Sequence, residues 1–131
     1  MVGAPRYLGM DDRGREVLTY IAGHVPWSAG EPAKVSSPDT LRAVGRLIRV
    51  LHDLTAGTAL AGDREVVCHN DLSPKNTLYR GEGSDARPVA FFDWDLAAPG
   101  ERIADVAHAC WQYPGLGQVA LTRRRGGSSG R

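Results

Sequence analysis

The chain has 131 residues, 42% of them hydrophobic and 24% charged, with a net charge of +1, which fits one soluble globular domain with a modest core. It contains no apolar run of about eighteen residues and no basic-then-apolar leader, so neither a membrane span nor secretion is expected and the expected location is cytoplasmic. Setting aside Arg123, Arg124, Arg125 and Arg131 turns the +1 into −3; the body is mildly acidic, which excludes a nucleic-acid-binding surface.

Two short apolar runs, 2–9 and 16–21, flank Met10-Asp11-Asp12-Arg13-Gly14-Arg15, whose Asp-Asp and Gly suit a turn, and together they predict a hairpin. His24-Val25-Pro26-Trp27 and the Gly- and Pro-containing segment to Ser37 read as a linker, with Trp27 covering the core and His24 at the surface. Ser37 as N-cap and Pro38 at the first helical position open the clearest helix. Along it Leu41, Val44, Leu47, Ile48, Leu51 and Leu54 draw one apolar stripe, and Gly57 is placed to cap its end. His52 and Asp53 point in different directions from that helix, about 100° apart, and are expected to be a solvated or capping pair.

Residues 59–65 form a connector to Val66-Val67-Cys68, a buried strand that delivers His69. Thr77 to Arg80, the Gly-rich turn 81–87 and Pro88 to Phe92 then read as strand, turn, strand. Leu96 to Gly100 is a loop, and Glu101 to Gln112 a helix with Ile103, Val106, Ala107 and Cys110 on one side and His108 and Trp111 as packing residues. Cys68 and Cys110, both in apolar segments, are expected as buried reduced thiols. With His69 and His108 they lack the paired two-to-four-residue spacing of zinc ligands. From Tyr113 onward the sequence is expected to be a disordered basic Gly/Ser-rich tail, so that 1–112 forms the domain and 113–131 the tail.

Function concentrates in residues 67–95. One apolar run stops at His69-Asn70-Asp71, with Asn76 five residues after Asp71, and a second stops at Asp93-Trp94-Asp95. In an antiparallel hairpin the start of the first strand lies beside the end of the second, so Asn76 and Asp93 meet at one end, within reach of Asp71. One amide oxygen and two or three carboxylates around one spot, Asp95 being the third, suit Mg2+ bound together with a nucleotide. Asp71 is the carboxylate placed to orient an attacking hydroxyl.

His69-Asn70-Asp71 followed by Asn76 resembles the His-Gly-Asp-x-x-x-x-Asn catalytic loop of the aminoglycoside phosphotransferase and choline kinase group, and Phe92-Asp93-Trp94-Asp95 looks like that group's Ile-Asp-Trp-Glu/Asp. The ordered pair of motifs joined by a hairpin is more specific than either alone. Pro-Arg-Tyr-Leu-Gly, an acidic turn and Val-Leu-Thr-Tyr-Ile-Ala-Gly look like the last two small-lobe strands running into the hinge. The resemblance spans about Pro5 to Trp111 and implies an α+β, protein-kinase-like fragment: the end of the small lobe plus the core of the helical large lobe. It further implies Asp71 as the catalytic residue, Asn76 and Asp93 as Mg2+ ligands, and the backbone at Tyr20 and Ile21 as the nucleotide contact. His69 becomes a structural support, Asp105 a brace behind the catalytic loop, and Lys75 a phosphate contact or a solvated residue. Asn70 stands where the family has Gly; Asn is the least costly replacement if the backbone there is left-handed.

Upstream of the hinge-like strands the sequence holds no Gly-rich phosphate loop, no strand Lys for the phosphates and no helix Glu to pair with it. Two expectations follow. The first is a phosphotransferase that moves the terminal phosphate of ATP or GTP, with Mg2+, to a hydroxyl of a small, antibiotic-like or metabolite molecule. The second is a catalytically incompetent kinase-like fragment with residual nucleotide or partner binding. The partners expected are nucleotide and acceptor, with no nucleic acid and no membrane.

Overall fold

Ser37 starts the main helix by using its hydroxyl as an acceptor for the Thr40 amide at 3.1 Å, which satisfies one of the donors that a helix N-terminus leaves free. In the computed structural model, which describes residues 3–114, this is the second of three helices: α1 Glu31–Lys34, α2 Pro38–Thr55 and α3 Arg102–Gln112. Helix α2 ends at Ala56, followed by Gly57 in a left-handed conformation. Six strands pair into three two-stranded antiparallel ladders: β1 Tyr7–Met10 with β2 Glu16–Leu18, β3 Val66–Cys68 with β6 Ala98–Gly100, and β4 Thr77–Arg80 with β5 Arg87–Phe91. The architecture is therefore mixed, helices packed on small sheets.

The core sits between α2 and the β4–β5 hairpin. Leu41, Val44, Ile48 and Leu51 of α2 meet Tyr79, Ala86 and Phe91, while Leu72, Ala109 and Tyr113 close the far side. Burying the valine, leucine, isoleucine and phenylalanine side chains among these contributes roughly 1.5–3 kcal/mol each. Thr40 adds a buried bond from its hydroxyl to the Ala86 carbonyl at 2.8 Å, which fixes where the hairpin's turn lies against the helix.

Several expectations change. The α2 stripe ends differently: Leu54 is 49% exposed and His52 takes the inward position at 3%, because His52 has a buried partner on α3. Residues 98–100 are not loop but β6, pairing with β3 through Val66↔Gly100 and Cys68↔Ala98. Gly100 permits that approach, since a Cβ there would stand 3.0 Å from the Cys68 sulfur. Helix α3 turns the opposite way from its apolar pattern. Asp105 and Ala109 are buried, whereas Ile103, Val106, Cys110 and Trp111 are exposed. Trp27 is also exposed, at 62%. Tyr113, placed in the tail by sequence, is 2% exposed and its hydroxyl bonds the Thr77 hydroxyl at 2.6 Å. The Arg-rich segment 123–131 lies outside the described residues. Among the described residues no helix is long and apolar enough to cross a membrane.

Candidate active site

Strand β3 stops at Cys68 and hands the chain to His69, which is 2% exposed. The His69 ring joins the two acidic segments. Its Nε2 donates to the Phe92 carbonyl at 2.9 Å, and its Nδ1 accepts the Asp71 amide at 3.1 Å. The two bonds define a neutral ring with hydrogen on Nε2. Burial holds the imidazole below its ordinary pKa, against the opposing pull of the Phe92 carbonyl and the carboxylates of Asp105, Asp71 and Asp93. The Trp94 ring packs against it at a tilt of 59° with centroids 4.5 Å apart, and the Phe91 ring meets it edge-on at 6.1 Å. His69 is thus a cross-tie between the segment carrying Asp71 and the segment carrying Asp93.

The β4–β5 register puts Thr77 opposite Phe91, and the Phe92 amide donates to the Asn76 carbonyl at 3.1 Å. Asn76 and Asp93 therefore emerge at the same end of the hairpin. Asn76 is buried within a 3-10 turn, Pro74–Asn76, and its Nδ2 donates to both the Asp71 carbonyl at 2.9 Å and Asp71 Oδ2 at 3.0 Å. With the nitrogen committed, Oδ1 is the atom Asn76 can offer to a cation. Asp71 is half-buried, and Asp93 and Asp95 are exposed. Among the described residues Asp93 has no side-chain hydrogen bond or ion pair. A carboxylate and an amide oxygen are hard donors, few enough to leave room for water and phosphate, and so fit Mg2+. Lys75, beside Asn76, is exposed.

The two non-glycine residues with positive φ among the described residues are Asn70, at 66°, and Asp93, at 59°. Such conformations cost about 1–3 kcal/mol each and persist where surrounding bonds over-determine them. The bonds at Asn70 are visible: its amide donates to Asp105 Oδ1 at 2.9 Å and its Nδ2 to the Leu96 carbonyl at 2.9 Å. Asp105, 1% exposed on the inner face of α3, also accepts the His69 amide at 2.8 Å on Oδ2. Burial pushes its carboxyl pKa up, but the bonds from His52, Asn70 and His69 outweigh it and hold it below the usual value.

His52 Nε2 lies 2.8 Å from Asp105 Oδ2. Sequence reasoning missed this pairing, because it expected His52, like its neighbour Asp53, to be solvated or capping; Asp53 accepts from Arg102 at 2.7 Å. His52, Cys68 and Asp105 place one donor atom each within 4.8 Å of one another. Each already has a protein partner, Cys68 donating to the Glu101 carbonyl at 3.2 Å, so the trio is satisfied without a metal.

An open cleft of about 690 Å3 lies beside Asp93, lined mainly by apolar groups including Leu18, Leu51, Val67, Phe92, Trp94 and Pro99, with Glu16 and Asp95 as further carboxylates. Its lining includes Tyr7 and Leu18 of the first hairpin but not Tyr20, Ile21, Asp71 or Asn76. Tyr20 is 90% exposed. Pairing of β2 with its neighbour ends at the bond from the Thr19 amide to the Arg6 carbonyl, so Tyr20 and Ile21 lie beyond the ladder.

Residues 58–130 match the family described as the phosphotransferase enzyme family. The chain belongs to that family. The aminoglycoside phosphotransferase resemblance of its two motifs and the matched segment coincide. It is also similar to the trifolitoxin immunity protein of Rhizobium leguminosarum bv. trifolii, at 31% identity over 121 aligned positions, covering 79% of this chain and 41% of that protein. This phosphotransferase-family chain thus spans about two fifths of the length of the curated relative it matches.

Proposed function

We propose that this chain carries the base and metal half of an ATP- or GTP-dependent phosphotransferase site that moves a terminal phosphate to a hydroxyl of a small molecule. The observation that supports this best is the geometry at the hairpin end, where Asn76 bonds Asp71 through its nitrogen while its oxygen and the Asp93 carboxylate, unpaired among the described residues, remain for a cation. Asp71 Oδ2 is held by Asn76, which leaves Oδ1 to accept the acceptor's hydroxyl proton. Asn76 Oδ1 and Asp93 would hold Mg2+, which when bound neutralises phosphate charge. Lys75 supplies a positive charge next to that position. The backbone of Tyr20 and Ile21, beyond the β1–β2 ladder, is free to bond a nucleotide base. In this reading the lobes are arranged as in the kinases. The relative's name, an immunity protein, favours an antibiotic-like acceptor over a metabolite.

Positioning and charge neutralisation supply most of the catalysis of phosphoryl transfer, so the residues that fix the loop contribute to catalysis alongside Asp71. Calorimetric titration of the chain with ATP and with GTP, each with and without Mg2+, tests the reading. Binding that requires Mg2+ is expected. Absence of binding to a folded chain would replace this reading with that of a catalytically incompetent fragment.

A further inference from the structure

The site uses Asp105, and Asp105 in turn is held by a side chain with no other evident task. His52, on the last turns of α2, is 3% exposed and bonds Asp105 Oδ2 at 2.8 Å. Asp105 Oδ2 also accepts the His69 amide, and Oδ1 accepts the Asn70 amide. A carboxylate with three such contacts is an acceptor throughout, so His52 Nε2 carries the hydrogen. One turn further along α2, the Thr55 hydroxyl accepts the Val67 amide at 3.0 Å. The end of α2 therefore grips β3 directly and the following loop through Asp105.

We propose that His52 is a positioning residue of the phosphotransfer site: it locks the Asp105 carboxylate so that both oxygens face the His69 and Asn70 amides, and this holds the left-handed bend that aims Asp71. Its consequence for nucleotide binding rests on the function proposed above; its consequence for the loop does not. The torsion that turns a carboxylate is broad and nearly unrestrained by itself, so the orientation of Asp105 rests on its contacts. His52 adds to the two amides a third contact, from another helix, that ties the carboxylate to α2. Without it Asn70 loses the bond that offsets its left-handed backbone, the bend relaxes, and Asp71 moves away from the Asn76 amide.

The test compares His52→Ala and His52→Gln in the full chain, since the Gln amide nitrogen can replace Nε2–H as donor. In His52→Ala the His69 and Asn70 amides should shift in the 15N-correlated spectrum and exchange with solvent about tenfold faster or more, while β4 and β5 amides keep their protection. Mg2+-dependent nucleotide affinity should fall by about three- to tenfold, the range for one lost hydrogen bond. His52→Gln should restore both. A folded His52→Ala protein with both amides unshifted and fully protected overturns the proposal. Should His52→Ala fail to fold, His52→Gln decides alone: protected amides at 69 and 70 support the proposal, and rapid exchange at both overturns it. If the wild type binds no nucleotide, the functional reading fails, while the amide exchange still decides the role of His52.

Discussion

Replacing Asp105 with Ala removes the acceptor of three hydrogen bonds at a site 1% exposed. The His69 amide and the His52 ring nitrogen are then buried donors without partners, whereas the amide of the exposed Asn70 can turn to water. Each orphaned donor costs about 1–3 kcal/mol. The saving from no longer burying a charge offsets part of this, and removing one member of a buried pair typically costs about 3–5 kcal/mol. Against a total stability of about 5–15 kcal/mol for a domain, that is about a fifth or more. Urea denaturation followed by tryptophan fluorescence measures it, because Trp94 packs on His69 and reports on this region. An unchanged slope with denaturant would show that the same surface is exposed on unfolding. Asp95→Asn, at an exposed position, is the control and should change stability by no more than about 0.5 kcal/mol. An Asp105→Ala protein within about 1 kcal/mol of wild type would refute the account of Asp105 as the hub of the loop.

Acidification should destabilise the protein in two steps. The His69 ring is held neutral below its ordinary value of 6.5, so the unfolded state binds the proton first and stability falls as pH drops below that value. The Asp105 contribution is complete above 3.8 and is lost as pH falls from there through the lowered folded value. Denaturation at a series of pH values checks this, and a rise in stability between pH 7 and pH 5.5 would contradict it. At Gly23, with φ 154°, a Cβ would stand 2.6 Å from the Tyr79 carbonyl oxygen and 2.8 Å from Leu78 Cγ. Gly23→Ala should therefore cost about 2–3 kcal/mol by overpacking, readable as a lower denaturation midpoint; a neutral effect would mean the linker does not pack on β4 as described.

The parts of this fold legible in sequence are those whose cause is local. Ser37 and Pro38 mark the α2 start because capping involves residues three apart. The β4–β5 hairpin shows because two apolar runs flank a Gly-rich turn, and the hairpin alone brings Asn76 to Asp93. What local pattern did not show was decided across the chain. Ala98-Pro99-Gly100 has the composition of a loop, and it becomes a strand because β3 offers it a ladder and Gly100 lets it approach Cys68. The apolar stripe of α3 pointed its inward face at Ile103 and Val106. The helix is turned by Asp105, whose three hydrogen bonds exist only once β3 and α2 are in place. His52 was obscure for the same reason: its partner lies 53 positions away, beyond any helical periodicity. Of the site residues, Asp71, Asn76 and Asp93 are visible as a linear motif, whereas the network that holds them is visible only in three dimensions.

The central claim is that the hairpin end divides its labour, Asp93 holding the metal and Asp71 the hydroxyl. Titration of Asp71→Ala and Asp93→Ala with ATP or GTP, with and without Mg2+, tests it most directly. Asp71→Ala should bind the Mg2+-nucleotide within about threefold of wild type while losing all transfer to hydroxyl acceptors, and Asp93→Ala should lose the Mg2+-dependent part of binding, tenfold or more for about 1.4 kcal/mol of coordination energy. Equal loss of binding in both proteins would contradict the division.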